Sequence, residues 1–185
     1  MSQPSDLIHQ CLKGDRSAQK MLYETYAPRL LGTCMRYARD KAEAEDFLQE
    51  GFIKVFNHLK ELRDASQLES WMQRIMVTTA LMHLRKQQPL LVDSMASSTT
   101  IPEPYQEETV TDNLGREELL ALIQDLPPGF RAVFNLYAIE GYSQKEISDE
   151  LNITTGTVKS QYARARQWLQ QEVKTLDPEL VKHFG

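Results

Sequence analysis

Between Pro89 and Asn113 the chain reads PLLVDSMASSTTIPEPYQEETVTDN, a stretch with no Lys or Arg that is rich in Ser, Thr, Pro and acids. Its few apolar residues follow neither a helical nor a strand period, so it cannot present one face to a packed core. At about 25 residues it is longer than loops inside a compact domain usually run. Pro102 and Pro104 keep that part extended. The stretch reads as a linker between two parts of the 185-residue chain. A solvated tether and a segment with its own binding role both suit its composition.

The expected organisation is therefore a first domain at 1–88, a flexible acidic linker at 89–114 and a second domain at 115–185. The net charge of −5 divides unevenly among them. Residues 1–88 carry 13 basic and 11 acidic side chains, residues 89–114 five acids and no base, and residues 115–185 eight bases and ten acids. Acidity is thus concentrated in the middle and says little about the ends. A chain this weakly charged binds free DNA poorly, because phosphate neutralisation supplies most non-specific affinity. Any DNA binding needs help from a partner. No apolar run approaches the ~18 residues of a membrane span, and Met1 to Leu12 lacks the basic start and apolar run of a secretory signal. The reading is a soluble, cytosolic protein without membrane insertion. Cys11 and Cys34 lie in helix-like sequence without C-x-x-C spacing, and are read as neutral thiols rather than a disulfide or a metal site.

The first half is helical throughout. A short helix is expected from Pro4 to Lys13, stopped by Gly14. Asp15 can cap a second, with Ala18, Met21, Leu22, Tyr26, Leu30 and Leu31 at three-to-four spacing. Asp40 with Glu43 resembles a capping box, opening a third helix with the stripe Ala44, Phe47, Leu48, Phe52, Val55, Phe56 and Leu59. Beside that stripe lie Asp46, Gln49, Glu50 and Lys54. Spacing alone allows a merely solvated charged face. After a polar stretch, Glu61 to Glu69, a fourth helix is expected from about Ser70 to Lys86. Its formal charges, Arg74, Arg85 and Lys86, are all positive, and Trp71 stands near its start. Such a pattern can track a single strand and stack on bases; Trp71 equally suits the core.

In the second half, helices are expected at 115–125 and 129–140, broken by Leu126-Pro127-Pro128 and stopped by Gly141. Ser143 and Glu146 form a capping box for a short helix to Leu151. A tight turn through Asn152 and Ile153 leads to a last helix, from Thr154 or Thr155 to about Thr175, with a tail beyond Pro178 that is frayed or makes one short turn. Two helices joined by a short turn are the layout of a helix-turn-helix reader. Ile147, Leu151, Ile153, Val158, Tyr162 and Leu169 can meet to hold the pair. The last helix then shows Thr157, Lys159, Ser160, Arg164 and Arg166 elsewhere, with three bases and no acid between 155 and 169. Gly156 would let a backbone approach closely. An ordinary amphipathic helix with a solvated basic face fits the same spacing.

Residues 126–166, LPPGFRAVFNLYAIEGYSQKEISDELNITTGTVKSQYARAR, resemble region 4 of sigma factors, which reads the −35 promoter element. The resemblance makes Thr155, Gly156, Thr157, Lys159, Ser160 and Arg164 the −35 contacts; Gln161 stands where the family often has Arg. The stretch around AEDFLQEGFIKVF resembles region 2.2. It implies that Asp46, Gln49, Glu50 and Lys54 dock on the clamp coiled coil of the polymerase's largest subunit. Gly51 is unusual there, since glycine costs ~1 kcal/mol inside a helix. SWMQRIMVTTALMHLRK resembles regions 2.3–2.4, which melt and hold the −10 element, with Thr78 in place of a frequent Asn and Met82 in place of a frequent Asp. Arg63, Asp64, Ser66, Gln67, Trp71, Arg74, Thr78, Arg85 and Lys86 become the −10 contacts. Loop residues such as Asp64, Ser66 and Gln67 can hydrogen-bond a base taken out of the stack.

The resemblance covers residues ~5–86 and ~112–172 and lacks the family's autoinhibitory first region and third domain, which is the plan of the extracytoplasmic-function group. It implies an all-α, two-domain sigma factor. It also implies core RNA polymerase (clamp and flap) and promoter DNA as partners, an anti-sigma factor as regulator, and neither cofactor nor small-molecule substrate. No phosphate-cradling loop, nucleophile elbow or metal-ligand cluster points to an enzyme, and the four histidines, His9, His58, His83 and His183, are scattered. Two rival readings remain: a helix-turn-helix regulator that binds an operator as a dimer, and a sigma-like module that titrates an anti-sigma factor.

Overall fold

The computed structural model describes residues 4–87 and 115–176. The expected linker at 89–114 and the tail beyond Pro178 lie outside the described residues. Among the described residues every regular element is helical, as expected. No helix among them is long and apolar enough to cross a membrane. The chain divides into two compact units, Met1–His83 and Leu84–Gly185, the division falling near the end of the fourth helix.

The first unit contains α1 (Pro4–Leu12), α2 (Arg16–Tyr37), α3 (Lys41–His58) and most of α4 (Leu68–Gln87). Gly14 has φ +80°, the left-handed conformation that ends a helix at little cost to glycine. Asp15 then caps α2, its carboxylate accepting from Ser17 N at 2.8 Å and Ala18 N at 3.2 Å. At the start of α3, Asp40 accepts from Glu43 N at 2.8 Å. Glu43 departs from the expected box: its carboxylate accepts from Arg39 N at 2.7 Å, one residue before the cap. The stripe of α3 is buried at Ala44, Phe47, Leu48, Phe52 and Val55, with Leu59 just beyond the helix, while Phe56 is half-buried. Leu22, Leu30 and Tyr37 of α2 and Leu68, Met72 and Met76 of α4 are buried as well. Both cysteines are free and buried, and burial pushes the Cys34 thiol up to about 12. That matches the neutral-thiol reading.

Gly51 has a packing reason. A Cβ built there would fall on Met76 Sδ and 2.9 Å from Met76 Cε. The glycine lets α4 lay a fully buried methionine against the α3 backbone. That contact offsets its poor helix propensity.

The second unit contains α5 (Arg116–Asp125), α6 (Pro128–Phe134), α7 (Gln144–Leu151) and α8 (Thr155–Leu176). The single helix expected at 129–140 is instead α6 followed by a π-helical turn, Asn135–Ile139, in which Glu140 N donates to Asn135 O at 2.9 Å. Gly141, at φ +75°, ends it. Leu122 and Leu126 form a core cluster with Ala165, Leu169 and Val173 of α8, and Phe130, Phe134 and Trp168 pack against it. Leu169, expected to hold α7 against α8, belongs to this cluster instead. Ile147, Leu151 and Val158 are buried in the helix-turn-helix half of the unit.

Candidate nucleic-acid interface

The turn between α7 and α8 is fixed by a few short contacts. Ser143 and Glu146 make the full capping box, Ser143 N donating to Glu146 Oε2 at 2.8 Å and Glu146 N to Ser143 Oγ at 3.2 Å. Asn152 takes the left-handed conformation at φ 54°, which asparagine tolerates better than most residues. Ser148 then clasps the next residue from both sides: its hydroxyl donates to Ile153 O at 2.6 Å and its carbonyl accepts from Ile153 N at 3.1 Å. Thr154 caps α8, accepting from Thr157 N at 3.1 Å. The entry angle of α8 is therefore set by groups within fifteen residues of one another, and a helix held in this way can present its first turns to a groove.

On α8, Thr155, Gly156 and Lys159 are exposed and Thr157 and Arg164 are half-buried. A Cβ at Gly156 would meet only Thr154 Oγ1 at 3.7 Å, so nothing inside the unit demands glycine there. The Thr157 hydroxyl lies 2.9 Å from that of Thr154. Ser160 is not on the outward face: it is buried, and its hydroxyl donates to Thr157 O at 3.0 Å. Gln161 is also buried, and its Oε1 has no hydrogen-bond partner. Arg166 lies over the Tyr162 ring, 6.0 Å from its centroid. The first turn of α8 carries no acid.

In the first unit, the residues assigned to −10 DNA occupy the loop before α4 and one side of α4. Asp64 accepts from Ser66 N at 2.9 Å and Ser66 Oγ at 2.7 Å, two bonds that hold its carboxyl below the usual carboxylate range. These two side chains stiffen the loop, while Arg63 and Gln67 are exposed beside them. On α4, Trp71 is half-buried, Arg74 exposed and Thr78 half-buried, while Arg85 and Lys86 follow in the last turn, past His83 where the first unit ends. Positions 71, 74, 78, 82 and 85 recur at helical spacing and form one stripe.

The four residues assigned to polymerase docking do not stay together. Asp46 and Gln49 are exposed on α3. Glu50 and Lys54 turn toward α4 instead. Lys54 Nζ lies 2.8 Å from Glu50 Oε1, 3.1 Å from Thr79 Oγ1 and 3.9 Å from Met82 Sδ. Glu50 Oε2 lies 2.5 Å from His83 Nε2. The hydrogen bond from Lys54, then that from His83, hold the Glu50 carboxyl down at about 2. Sequence reasoning missed this cluster and left His83 among scattered histidines. The outward face of α3 carries Ile53, 61% exposed, one turn on from Gln49.

A basic helix at the end of a rigid helix-turn-helix, and a separate helical unit with a cationic helix beside a short capped loop, define a two-part DNA-binding protein. The comparisons with known proteins narrow this. The sigma-70 region 2 family matches residues 22–89 and the sigma-70 region 4 family matches residues 116–169. The RNA polymerase sigma-H factor of Pseudomonas aeruginosa is 30% identical over 184 residues, covering 94% of this chain and 95% of that one. The ECF RNA polymerase sigma factor SigW of Bacillus subtilis is 27% identical over 179 residues, covering 91% and 96%. Among solved structures, the sigma factor RpoE of Bartonella quintana, in complex with the anti-sigma factor NepR, shares the fold at a TM-score of 0.52 and 21% identity, covering 84% of this chain and 96% of that chain. The chain belongs to the sigma-70 family, in its extracytoplasmic-function group, and is an RNA polymerase sigma factor. Sigma factors are transcription initiation factors that take core polymerase to promoter DNA.

Proposed function

We propose that the two units divide promoter recognition between them. Residues 1–88 dock core polymerase through the outward face of α3, centred on Asp46 and Gln49. They also hold melted −10 DNA against the Arg63–Gln67 loop and the α4 stripe. Residues 115–185 read duplex −35 DNA through the first turns of α8, and residues 89–114 connect them across the polymerase. The observation that carries this reading is the acid-free start of α8, exposing Thr155, Gly156 and Lys159 behind a turn clasped by Ser148. The chain itself performs no catalysis; it acts in the cytoplasm, where its polymerase is. Since Bartonella quintana RpoE is held by NepR, an anti-sigma factor is the expected regulator here too.

Run-off transcription with bacterial core polymerase on a promoter pool tests the reading. New transcripts sharing −35 and −10 motifs are expected only when the protein is added. Core binding without transcripts would favour an anti-sigma titrating module, and absence of core binding would overturn the proposal. Capture of a helical partner on affinity purification of the chain is expected for the anti-sigma relation.

A further inference from the structure

On α4, Thr78 and Met82 stand four residues apart and so share a face, one turn from each other. Neither offers a donor to a nucleobase. The Thr78 hydroxyl turns back on its own helix, 2.9 Å from Arg74 O and 3.0 Å from Ile75 O. Its single proton is spent there, so toward a base it presents its methyl and an oxygen that can only accept. Met82 is 45% exposed and ends in a thioether, which has no proton and accepts only weakly. Lys54 Nζ lies 3.9 Å from Met82 Sδ. Its ammonium is committed to Glu50 at 2.8 Å and Thr79 at 3.1 Å. Beneath Met82 the surface is thus locally neutral.

The ends of the stripe differ. Arg74 precedes Thr78 by one turn, and the exposed Lys86 follows Met82 by about one turn. The acid near the start of α4, Glu69, pairs with Arg29 at 2.6 Å. An apolar step between cationic ends suits a strand whose phosphates lie outside and whose base edge lies between. Of the four bases, thymine alone carries an apolar substituent, its C5 methyl.

We infer that Thr78 and Met82 read a thymine of the −10 element through its C5 methyl group. The inference rests on the proposed placement of −10 DNA along α4 and adds to it the base chosen and the contact that chooses it. Met82 is the specificity-determining residue, and Thr78 completes the apolar step.

The test uses the full-length protein with core polymerase on a promoter recovered from the pool. Each −10 thymine is replaced in turn by deoxyuridine, which removes only the methyl. Open-complex formation is expected to fall about fourfold at one position, the effect of burying one such carbon. Met82→Ala should abolish the difference between thymine and deoxyuridine, whereas Met82→Leu should keep it. Thermal melting of both variants separates this from loss of fold. If every thymine tolerates deoxyuridine, or if Met82→Ala keeps the discrimination, the inference is overturned while the sigma reading stands. If unmodified promoters give no transcript dependent on this protein, both fall together.

Discussion

His83 Nε2 lies 2.5 Å from Glu50 Oε2 across 33 residues of sequence, and the other Glu50 oxygen lies 2.8 Å from Lys54 Nζ. One carboxylate therefore ties the last described turns of the first unit's α4 to the middle of α3. His83 also packs its ring on Phe47, with centroids 4.9 Å apart. The link matters for function because α3 carries the proposed polymerase face and α4 the proposed −10 stripe.

The Glu50 carboxyl is held down at about 2, from an ordinary 4.5, so its ionised form is favoured in the folded protein. Its contribution is fully present above pH 4.5 and is lost as pH falls toward 2. The side chain is 38% exposed, so solvent screening keeps the effect small, about 1 kcal/mol or less. Glu50→Gln should lower stability at neutral pH by that amount and flatten the loss of stability on acidification. Urea melts at a series of pH values check this; an unchanged acid limb would show that the pair contributes nothing.

Gly51→Ala should destabilise the first unit. Alanine improves helix propensity by about 1 kcal/mol, but its Cβ lands on the buried Met76 thioether. Overpacking costs typically ~1–3 kcal/mol, so the expected net loss is up to about 2 kcal/mol. Adding Met76→Ala should be less damaging in the Gly51→Ala background than alone, since the two changes share one space. Additive losses would place the strain elsewhere.

Gln161→Leu should stabilise the second unit. The glutamine is 3% exposed, and its Oε1 has no hydrogen-bond partner. Burying such a group costs ~1–3 kcal/mol, and leucine has similar bulk without the polar atoms. A rise in melting temperature is expected, and a fall would mean that the amide supports the fold.

Lys159→Ala and Ser160→Ala should separate cleanly. Lys159 is exposed on α8, whereas Ser160 is buried with its hydroxyl donating to Thr157 O. Losing a phosphate contact from Lys159 should weaken promoter binding by the holoenzyme and reduce the salt slope by about one. Ser160→Ala should leave affinity within about twofold, a difference of under ~0.5 kcal/mol. Titration of −35 DNA at several salt concentrations distinguishes them; a large loss for Ser160→Ala would restore it to the contact face.

Much of the architecture was legible because it depends on neighbours in sequence. Caps at Asp15 and Ser143, stops at Gly14 and Gly141, and the turn at Asn152 each act within a few residues, and they appeared where their local chemistry placed them. Glu43 and the π-helical turn after Phe134 departed from expectation. The first reached one residue past its cap. In the second, a backbone ladder shifted by one, which side-chain periodicity does not encode.

The candidate site was legible in part. Region-like motifs located α8, the loop before α4 and the outward face of α3. They could not show that Ser160 and Gln161 turn inward, or that Glu50 and Lys54 leave Asp46 and Gln49 for α4. The sequence by itself determined helix positions, the two-part division and the family, because these follow from local hydrogen bonding, hydrophobic period and motif. Tertiary structure alone decided which polar side chains of those helices face outward. That choice depends on contacts between residues far apart in sequence, such as Gly51 with Met76 and Glu50 with His83. Desolvation and close packing, rather than spacing along one helix, set their direction.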